Sequence, residues 1–101
     1  MVWFEWDEAK ARSNRRKHGV WFDDALLVFA DPYALVEQDR FEGGEVRWQT
    51  LGLVGGIVLL LVAHTLRSEG EDEVIRIISA RKATRQERIR YDENREKETL
   101  G

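Results

Sequence analysis

The segment Leu51–Ala63 constrains the fold more than any other part of the sequence. It is apolar for most of its length and is interrupted by the pair Gly55-Gly56. A helix of this length is too short to span a bilayer, whereas a glycine pair between two apolar runs predicts a two-residue hairpin turn. Residues Ile57–Leu66 are apolar at both odd and even positions, so we expect a central strand that is buried on both faces.

The signals on either side of this segment predict a single α+β domain over residues 1–101. The predicted elements are a strand at Val2–Trp6, a helix capped by Asp7 and closed by Gly19, a short helix begun at Asp23 or Asp24 that ends before Pro32, strands at Tyr33–Phe41, Glu45–Val54, Ile57–Leu66 and Val74–Ala80, and a helix opened by the capping box Thr84–Glu87. The expected architecture is a short N-terminal strand, two helices, a four-stranded antiparallel sheet and a C-terminal helix. This last helix runs through at least Tyr91, and we expect residues 92–101 to fray.

The composition excludes several classes of site. The chain has no cysteine, which excludes a disulfide framework, a thiolate zinc site and thiol catalysis. The N-terminus lacks a basic start followed by an apolar stretch, so we do not expect a signal peptide. Together these features predict a cytoplasmic protein without a membrane segment. The carboxylates cluster at a helix start and in a turn, without a pattern that pairs them around a metal ion, so no metal site is predicted.

The cations are concentrated in two stretches although the formal net charge is -3. Five basic residues and no acid lie between Lys10 and Lys17, and six lie between Arg76 and Arg90, opposed only by Glu87. Because local potential governs phosphate binding more than net charge does, a basic face on an acidic body remains compatible with nucleic-acid binding. Solvated helix faces explain the same clusters equally well.

Segments along nearly the whole chain resemble BrnT-type toxins. They are Phe4–Lys10, Lys17–Val20 with Phe22, Val28–Pro32, Arg47 before Gly52, His64 at the end of the apolar strand, Ile75–Thr84, Glu87-Arg88 and Tyr91. The resemblance implies a RelE-like fold and the toxin role in a type II toxin–antitoxin system, with ribonuclease activity that inhibits translation and growth. It also implies a hetero-oligomer with a BrnA-like ribbon-helix-helix antitoxin, through which alone operator DNA would be bound.

Metal-independent RNA cleavage needs a base at the 2′-hydroxyl, a proton donor at the leaving oxygen and cations around the phosphorane. No cofactor is required. The candidates for the chemistry are His64, Arg76 and Arg81, because an imidazole can move a proton and guanidinium groups match phosphate oxygens. The candidates for RNA binding are Arg47, Lys82, Arg85, Arg88 and Tyr91. His18 is interpreted as a helix-end residue that interacts with free carbonyls.

Strand register gives a geometric expectation for this site. If Gly55-Gly56 is a two-residue turn, Arg47 lies opposite His64, and if the Ser68–Asp72 connection is centred on Gly70, His64 lies opposite Arg76. Two arginines would then flank one imidazole on one sheet face and lower its pKa, keeping it neutral as a base. A shift of the second turn by one residue would move Arg76 to the other face.

Two other classes of function fit the same sequence. A non-catalytic module would use the basic face to hold RNA, DNA or the ribosome. A protein-interaction subunit would instead use its aromatic surface, which includes four tryptophans. RNA cleavage in the presence of a chelator separates the nuclease from both.

Overall fold

Five strands and three helices follow one another along residues 1–100, the part of the chain that the computed structural model describes; Gly101 lies outside it. The elements are β1 Val2–Glu5, α1 Glu8–His18, α2 Phe22–Ala25, a 3-10 helix Leu26–Ala30, β2 Leu35–Glu42, β3 Glu45–Val54, β4 Val58–Glu69, β5 Asp72–Lys82 and α3 Arg85–Leu100. Residues 92–100, for which the sequence predicts fraying, continue α3. None of these helices is both long and apolar enough to cross a membrane.

The helix ends follow the local signals in the sequence. The Asp7 side chain accepts a hydrogen bond from the Lys10 amide, and α1 closes on Gly19 in the left-handed conformation with φ 74°. The capping box at α3 is reciprocal, because the Thr84 amide donates to the Glu87 carboxylate at 2.8 Å and the Glu87 amide donates to Thr84 Oγ1 at 3.2 Å.

The α+β class is confirmed, but the sheet has one strand more than expected. Its order is β1-β5-β4-β3-β2, with antiparallel pairing among β2 to β5 and parallel pairing of β1 with β5. The four antiparallel strands are as predicted, but the sheet is a five-stranded mixed sheet because the N-terminal strand joins it. Strand β5 would otherwise present a row of unpaired backbone groups at the sheet edge, and β1 satisfies part of that row.

Both faces of β4 are buried, as the sequence predicts. We call the side that carries α1, α2 and the 3-10 helix the helix face; its core is formed by Ala11, Val20, Phe22, Ala25, Val28, Leu60, Val62, Ile75, Ile77 and Ala80. The opposite side is the α3 face, and its smaller core is formed by Leu51, Leu59, Leu61 and Tyr91. On the helix face the 3-10 helix approaches β3 closely, because a Cβ added at Gly52 would lie 2.8 Å from Val28 Cβ.

Of the three hairpin turns, the two on either side of β4 differ from the predicted ones by one residue. Val54 pairs with Val58, so the first turn has three residues, Gly55 to Ile57. The second turn comprises Gly70 and Glu71, because Glu69 pairs with Asp72. A glycine pair is compatible with either loop length, and only the packing of β4 against both cores decides between them. The predicted loop Ser68–Asp72 is therefore largely strand.

The end of β5 that extends beyond β1 is closed by a side chain. Strand β1 stops at Glu5, which pairs with Arg76. Further along β5, the carboxamide of Asn14 accepts from the Ala80 amide at 3.1 Å and donates to the Ala80 carbonyl at 2.9 Å. Asn14 also donates to the Val20 carbonyl at 3.0 Å. One buried side chain on α1 thus replaces a strand neighbour and fixes α1 against the sheet.

We expect Asn14→Ala to lower the free energy of unfolding by roughly 2 to 4 kcal/mol, because the amide and carbonyl of Ala80 lose their partners in a buried position. Urea unfolding measures the change. Asn94→Ala on α3 is the matched control and should change stability by less than about 0.5 kcal/mol. Equal effects of the two substitutions would contradict this assignment.

Candidate nucleic-acid interface and active site

The α3 face is covered unevenly. Helix α3 packs Tyr91 against Leu51, Leu59 and Leu61, which lie at one end of strands β3 and β4. At the other end of the same face, Trp3 on β1 is 52% exposed and Arg76 on β5 is exposed as well. This second end is therefore the part of the sheet surface that a large ligand can reach.

A cross-strand row that contains two arginines lies at this exposed end. Arg76 pairs with Thr65 on β4. The last pair of the β3–β4 ladder is Trp48 with His64, and one position farther along these two strands Arg47 lies opposite Thr65. We call Arg47, Thr65 and Arg76 the arginine row. Since strands are spaced by about 4.8 Å, the two arginines are roughly 10 Å apart at the backbone, and their side chains can reach a common ligand.

The arginine row contains unsatisfied polar atoms. Within residues 1–100, the buried side-chain nitrogen and oxygen atoms without a hydrogen-bond partner are Arg47 Nε and Thr65 Oγ1. Thr65 is 3% exposed. Buried polar atoms usually have partners, and two neighbouring exceptions suit a site that awaits a polar ligand.

The charges of the row also favour an anion. Arg47 lies directly opposite Arg40 on β2, and like charges in this position destabilise a sheet. Arg40 is neutralised in part by Glu42 at 3.0 Å. No ion pair within the described residues involves Arg47 or Arg76. A phosphate between these two guanidinium groups would relieve the repulsion and form charge-assisted hydrogen bonds.

A carboxylate continues the row on β1. Glu5 pairs with Arg76 and its carboxylate accepts hydrogen bonds from the Arg67 guanidinium, which also contacts Glu69. The hydrogen bonds from Arg67, helped by the nearby charge of Arg76, lower the pKa of Glu5 below its usual value. Glu5 is therefore ionised near neutral pH.

His64 does not belong to the arginine row, so the predicted row of Arg47, His64 and Arg76 is wrong. The one-residue shift of each turn brings both arginines level with Thr65 and turns His64 to the helix face. There its ring is 1% exposed, lies edge-on to Phe29 at a centroid distance of 5.0 Å and contacts Thr50 Oγ1 through Nε2 at 2.7 Å. A ring in this position has no route to RNA on the α3 face.

Two further predicted residues fix α3 in place. The Arg81 guanidinium donates to both carboxylate oxygens of Glu87, at 2.8 and 3.0 Å, and this pairing lowers the pKa of Glu87 to about 2. Tyr91 is 2% exposed, and its hydroxyl donates to Asp31 at 2.6 Å. Burial, followed by this hydrogen bond, raises the pKa of Tyr91 to about 12. A buried ring offers no face for stacking on a base.

The remaining predicted RNA contacts are exposed but do not converge on the row. Lys82 pairs with Leu60 and lines a hollow with Val20 on the helix face. Arg85 and Arg88 are exposed on α3. No group of three or more His, Cys, Asp or Glu side chains within residues 1–100 is arranged to hold a metal ion.

Comparison with known proteins identifies the family. Residues 6–87 match the family described as ribonuclease toxin, BrnT, of type II toxin-antitoxin system. The chain belongs to the BrnT family. Its structure is similar to the crystal structure of the Brucella abortus ribonuclease toxin BrnT, with a TM-score of 0.62 and 25% sequence identity over 84% of this chain and 99% of that chain. No curated protein matches the sequence. Membership confirms the resemblance stated above and implies an antitoxin partner.

The buried histidine of this BrnT-family chain should make its stability depend on pH. Burial lowers the pKa of His64 from 6.5, so the unfolded chain binds a proton that the folded protein excludes. The stabilisation by neutral His64 is complete above about pH 6.5 and is lost as the pH falls below it, by at most about 1.4 kcal/mol per pH unit.

We expect the free energy of unfolding to fall between pH 7 and pH 5 and His64→Gln to flatten this dependence. The pH range avoids the titration of carboxylates with lowered pKa values. His18→Gln, at the partly exposed end of α1, is the control and should retain the wild-type slope. An unchanged slope in His64→Gln would contradict the assignment.

Proposed function

We propose that the chain is a metal-independent endoribonuclease whose active site is the arginine row. The observation that carries this proposal is the pair Arg47 and Arg76 on one sheet face, with Arg47 partly buried and Arg76 exposed, on either side of the buried, unpartnered Thr65 hydroxyl. Two guanidinium groups can neutralise the charge that develops on a phosphorane, and a hydroxyl without a partner in the fold can donate to one of its oxygens. Membership of a family of ribonuclease toxins supports the activity in general, and we propose the arginine row as its location.

The proposed reaction is an internal transfer at the RNA phosphate. The 2′-oxygen forms a bond to phosphorus while the bond from phosphorus to the 5′-oxygen breaks, which leaves a 2′,3′-cyclic phosphate and a free 5′-hydroxyl. The 2′-hydroxyl proton passes to a water molecule, because the Glu5 carboxylate next to Arg76 is held by Arg67 and its pKa is lowered. The leaving oxygen takes a proton from water.

The residues of the sequence-based proposal divide into two groups. Arg47 and Arg76 keep a role at the phosphate, and the exposed Arg85 and Arg88 on α3 are proposed to contact the RNA backbone farther along. His64, Arg81 and Tyr91 are not carried into the proposal, because each is engaged in packing or hydrogen bonding within the fold. Lys82 is not carried into it either, because it lines the hollow on the helix face.

We further infer the setting in which this activity operates. The proposed partner is a BrnA-like ribbon-helix-helix antitoxin that covers the arginine row and supplies operator DNA binding. The free toxin would cleave RNA in the cytoplasm and thereby inhibit translation and growth. The sheet with helices on both faces supports a RelE-like description of the fold. A non-catalytic RNA-binding module remains the competing function.

We expect Arg76→Ala and Arg47→Ala each to reduce cleavage of a labelled single-stranded RNA by about 100-fold or more, because each removes a donor aimed at the charged phosphorane. Thr65→Val should reduce the rate by a smaller factor, since it keeps the shape of the side chain and removes one donor. Initial rates under single-turnover conditions measure these effects.

Arg16→Ala on the exposed surface of α1 is the control for loss of one arginine and should retain the wild-type rate. Thermal unfolding of each variant separates loss of chemistry from loss of fold. Full activity in folded Arg47→Ala and Arg76→Ala proteins would refute the proposed site. Tight RNA binding without cleavage by the wild type would favour the binding module.

Cleavage should proceed in excess EDTA at the rate measured with magnesium, because the proposed charge stabilisation comes from guanidinium groups. The products should carry a 2′,3′-cyclic phosphate or a 3′-phosphate, which mass spectrometry distinguishes from a 5′-phosphate. Cleavage that stops with EDTA and returns with magnesium would rule out this mechanism.

A further inference from the structure

A second basic surface lies at the edge of the sheet beyond the end of β1. Where β1 no longer covers β5, helix α1 runs alongside and leaves a groove of about 170 Å³. We call this the α1 groove; it is lined by Lys10, Ser13, Asn14, Lys17, His18, Ile78 and Ser79. The sheet-edge hydrogen bonds of Ala80 already belong to Asn14, so the groove is not open for an added strand at that position.

Six of the seven side chains that line the α1 groove are polar. Lys10 and Lys17 are exposed on the same side of α1, and no ion pair within residues 1–100 involves either of them. The hydroxyls of Ser13 and Ser79 add two neutral donors. Ile78 is the one purely apolar side chain of the lining. A surface of this kind suits a phosphate or ribose better than an apolar peptide anchor.

The α1 groove is connected to the arginine row through Arg76. A hollow of about 350 Å³ between them is lined by Glu5, Trp6, Asp7 and Arg76. Asp7 links the two sites, because it lines the hollow with Arg76 and accepts a hydrogen bond from the amide of Lys10, which lines the groove. The row, the hollow and the groove therefore follow one another around the same edge of β5.

The two carboxylates in the hollow are already engaged within the protein. Glu5 accepts from Arg67, and Asp7 caps α1. The cations Arg76, Lys10 and Lys17 have no such partners among the described side chains. A polyanion that leaves the arginine row along this edge therefore meets cations without ion pairs before it meets a carboxylate without a partner. RNA is favoured over an acidic peptide because this path begins at the arginine row.

We propose that the α1 groove binds the sugar–phosphate backbone of single-stranded RNA next to the nucleotide held at the arginine row. This inference rests on the proposed function, since it extends the same substrate path. Lys10 and Lys17 contact phosphates, and the serine hydroxyls contact phosphate or ribose oxygens. The groove lengthens the bound RNA without taking part in bond cleavage.

The test measures binding separately from cleavage. The probe is a fluorescein-labelled ten-nucleotide 2′-O-methyl RNA, which lacks the attacking hydroxyl, and anisotropy is recorded over a range of salt concentrations. Lys10→Ala/Lys17→Ala should lower the slope of log K against log salt by about 1.4, since each single-strand phosphate contact contributes about 0.7. At 0.1 M salt this corresponds to an affinity loss of about 25-fold if binding at 1 M is unchanged.

Arg12→Ala/Arg16→Ala is the matched control, because it removes two exposed charges from the same helix and neither residue lines the α1 groove. It should change affinity by less than about 3-fold, as expected for diffuse attraction alone. Equal losses in both double variants, or no loss in Lys10→Ala/Lys17→Ala, would overturn the proposal. Loss of antitoxin binding without loss of RNA binding would assign the groove to the protein partner and overturn it as well.

Cleavage of a dinucleotide provides the second readout. The dinucleotide spans only the arginine row, so the wild type and Lys10→Ala/Lys17→Ala should cleave it at the same rate. The variant should cleave a ten-nucleotide RNA less efficiently than the wild type at low substrate concentration. Absence of cleavage by the wild type would refute the proposed function, yet the anisotropy experiment would still decide on the groove. Lys10→Gln/Lys17→Gln replaces the alanine variant if the latter has a lower Tm.

Discussion

The arrangement of the molecule depends on strand β4, which is apolar on both faces and therefore requires cover on both sides. On the helix face, α1, α2 and the 3-10 helix meet this need along most of the strand. On the α3 face one helix is available, and it covers Leu59 and Leu61 but leaves the end near Thr65 to side chains of the sheet itself. The polar row can exist because the hydrophobic cover on that face is incomplete. The incomplete helical cover of the α3 face therefore limits the hydrophobic core there and leaves the sheet surface around the arginine row uncovered.

Helix α3 contributes little apolar surface, and polar contacts at its first two turns hold it in place. Asp31 accepts from the Tyr91 hydroxyl at 2.6 Å, from the Leu53 amide at 2.8 Å and from the Tyr33 amide at 2.9 Å. Burial alone would raise the pKa of Asp31, but these hydrogen bonds outweigh it and the pKa is lowered. One carboxylate thereby connects the end of the 3-10 helix, β3 and α3. This connection keeps α3 over the apolar end of the sheet and away from the arginine row.

Local signals in the sequence predict the elements well, because caps, glycine turns and apolar periodicity act over a few residues. Strand register is not predicted by local signals, since a glycine pair permits loops of two or three residues. A change of one residue in the loop moves every side chain of the following strand to the other face of the sheet. The predicted proximity of Arg47 and Arg76 is correct, but Thr65 rather than His64 lies between them because both turns are shifted by one residue. The pairing of Asn14 with Ala80 has no local signal at all, as the two residues meet only after the sheet has formed.

The ion pairs explain how a chain with a net charge of -3 retains a basic edge. Arg67 pairs with Glu5, Arg81 with Glu87 and Arg90 with Glu37, so these arginines hold β1 and α3 in position. Their charges are balanced within the fold and contribute little to an external field. The cations without ion pairs in residues 1–100 include Arg47, Arg76, Lys10 and Lys17, which lie on the row and in the α1 groove. The excess of acids elsewhere leaves this local potential intact, because at physiological salt screening limits charge interactions to about 8 Å. Net charge is therefore a poor guide to what this surface attracts, and the division between paired and unpaired cations is a better one.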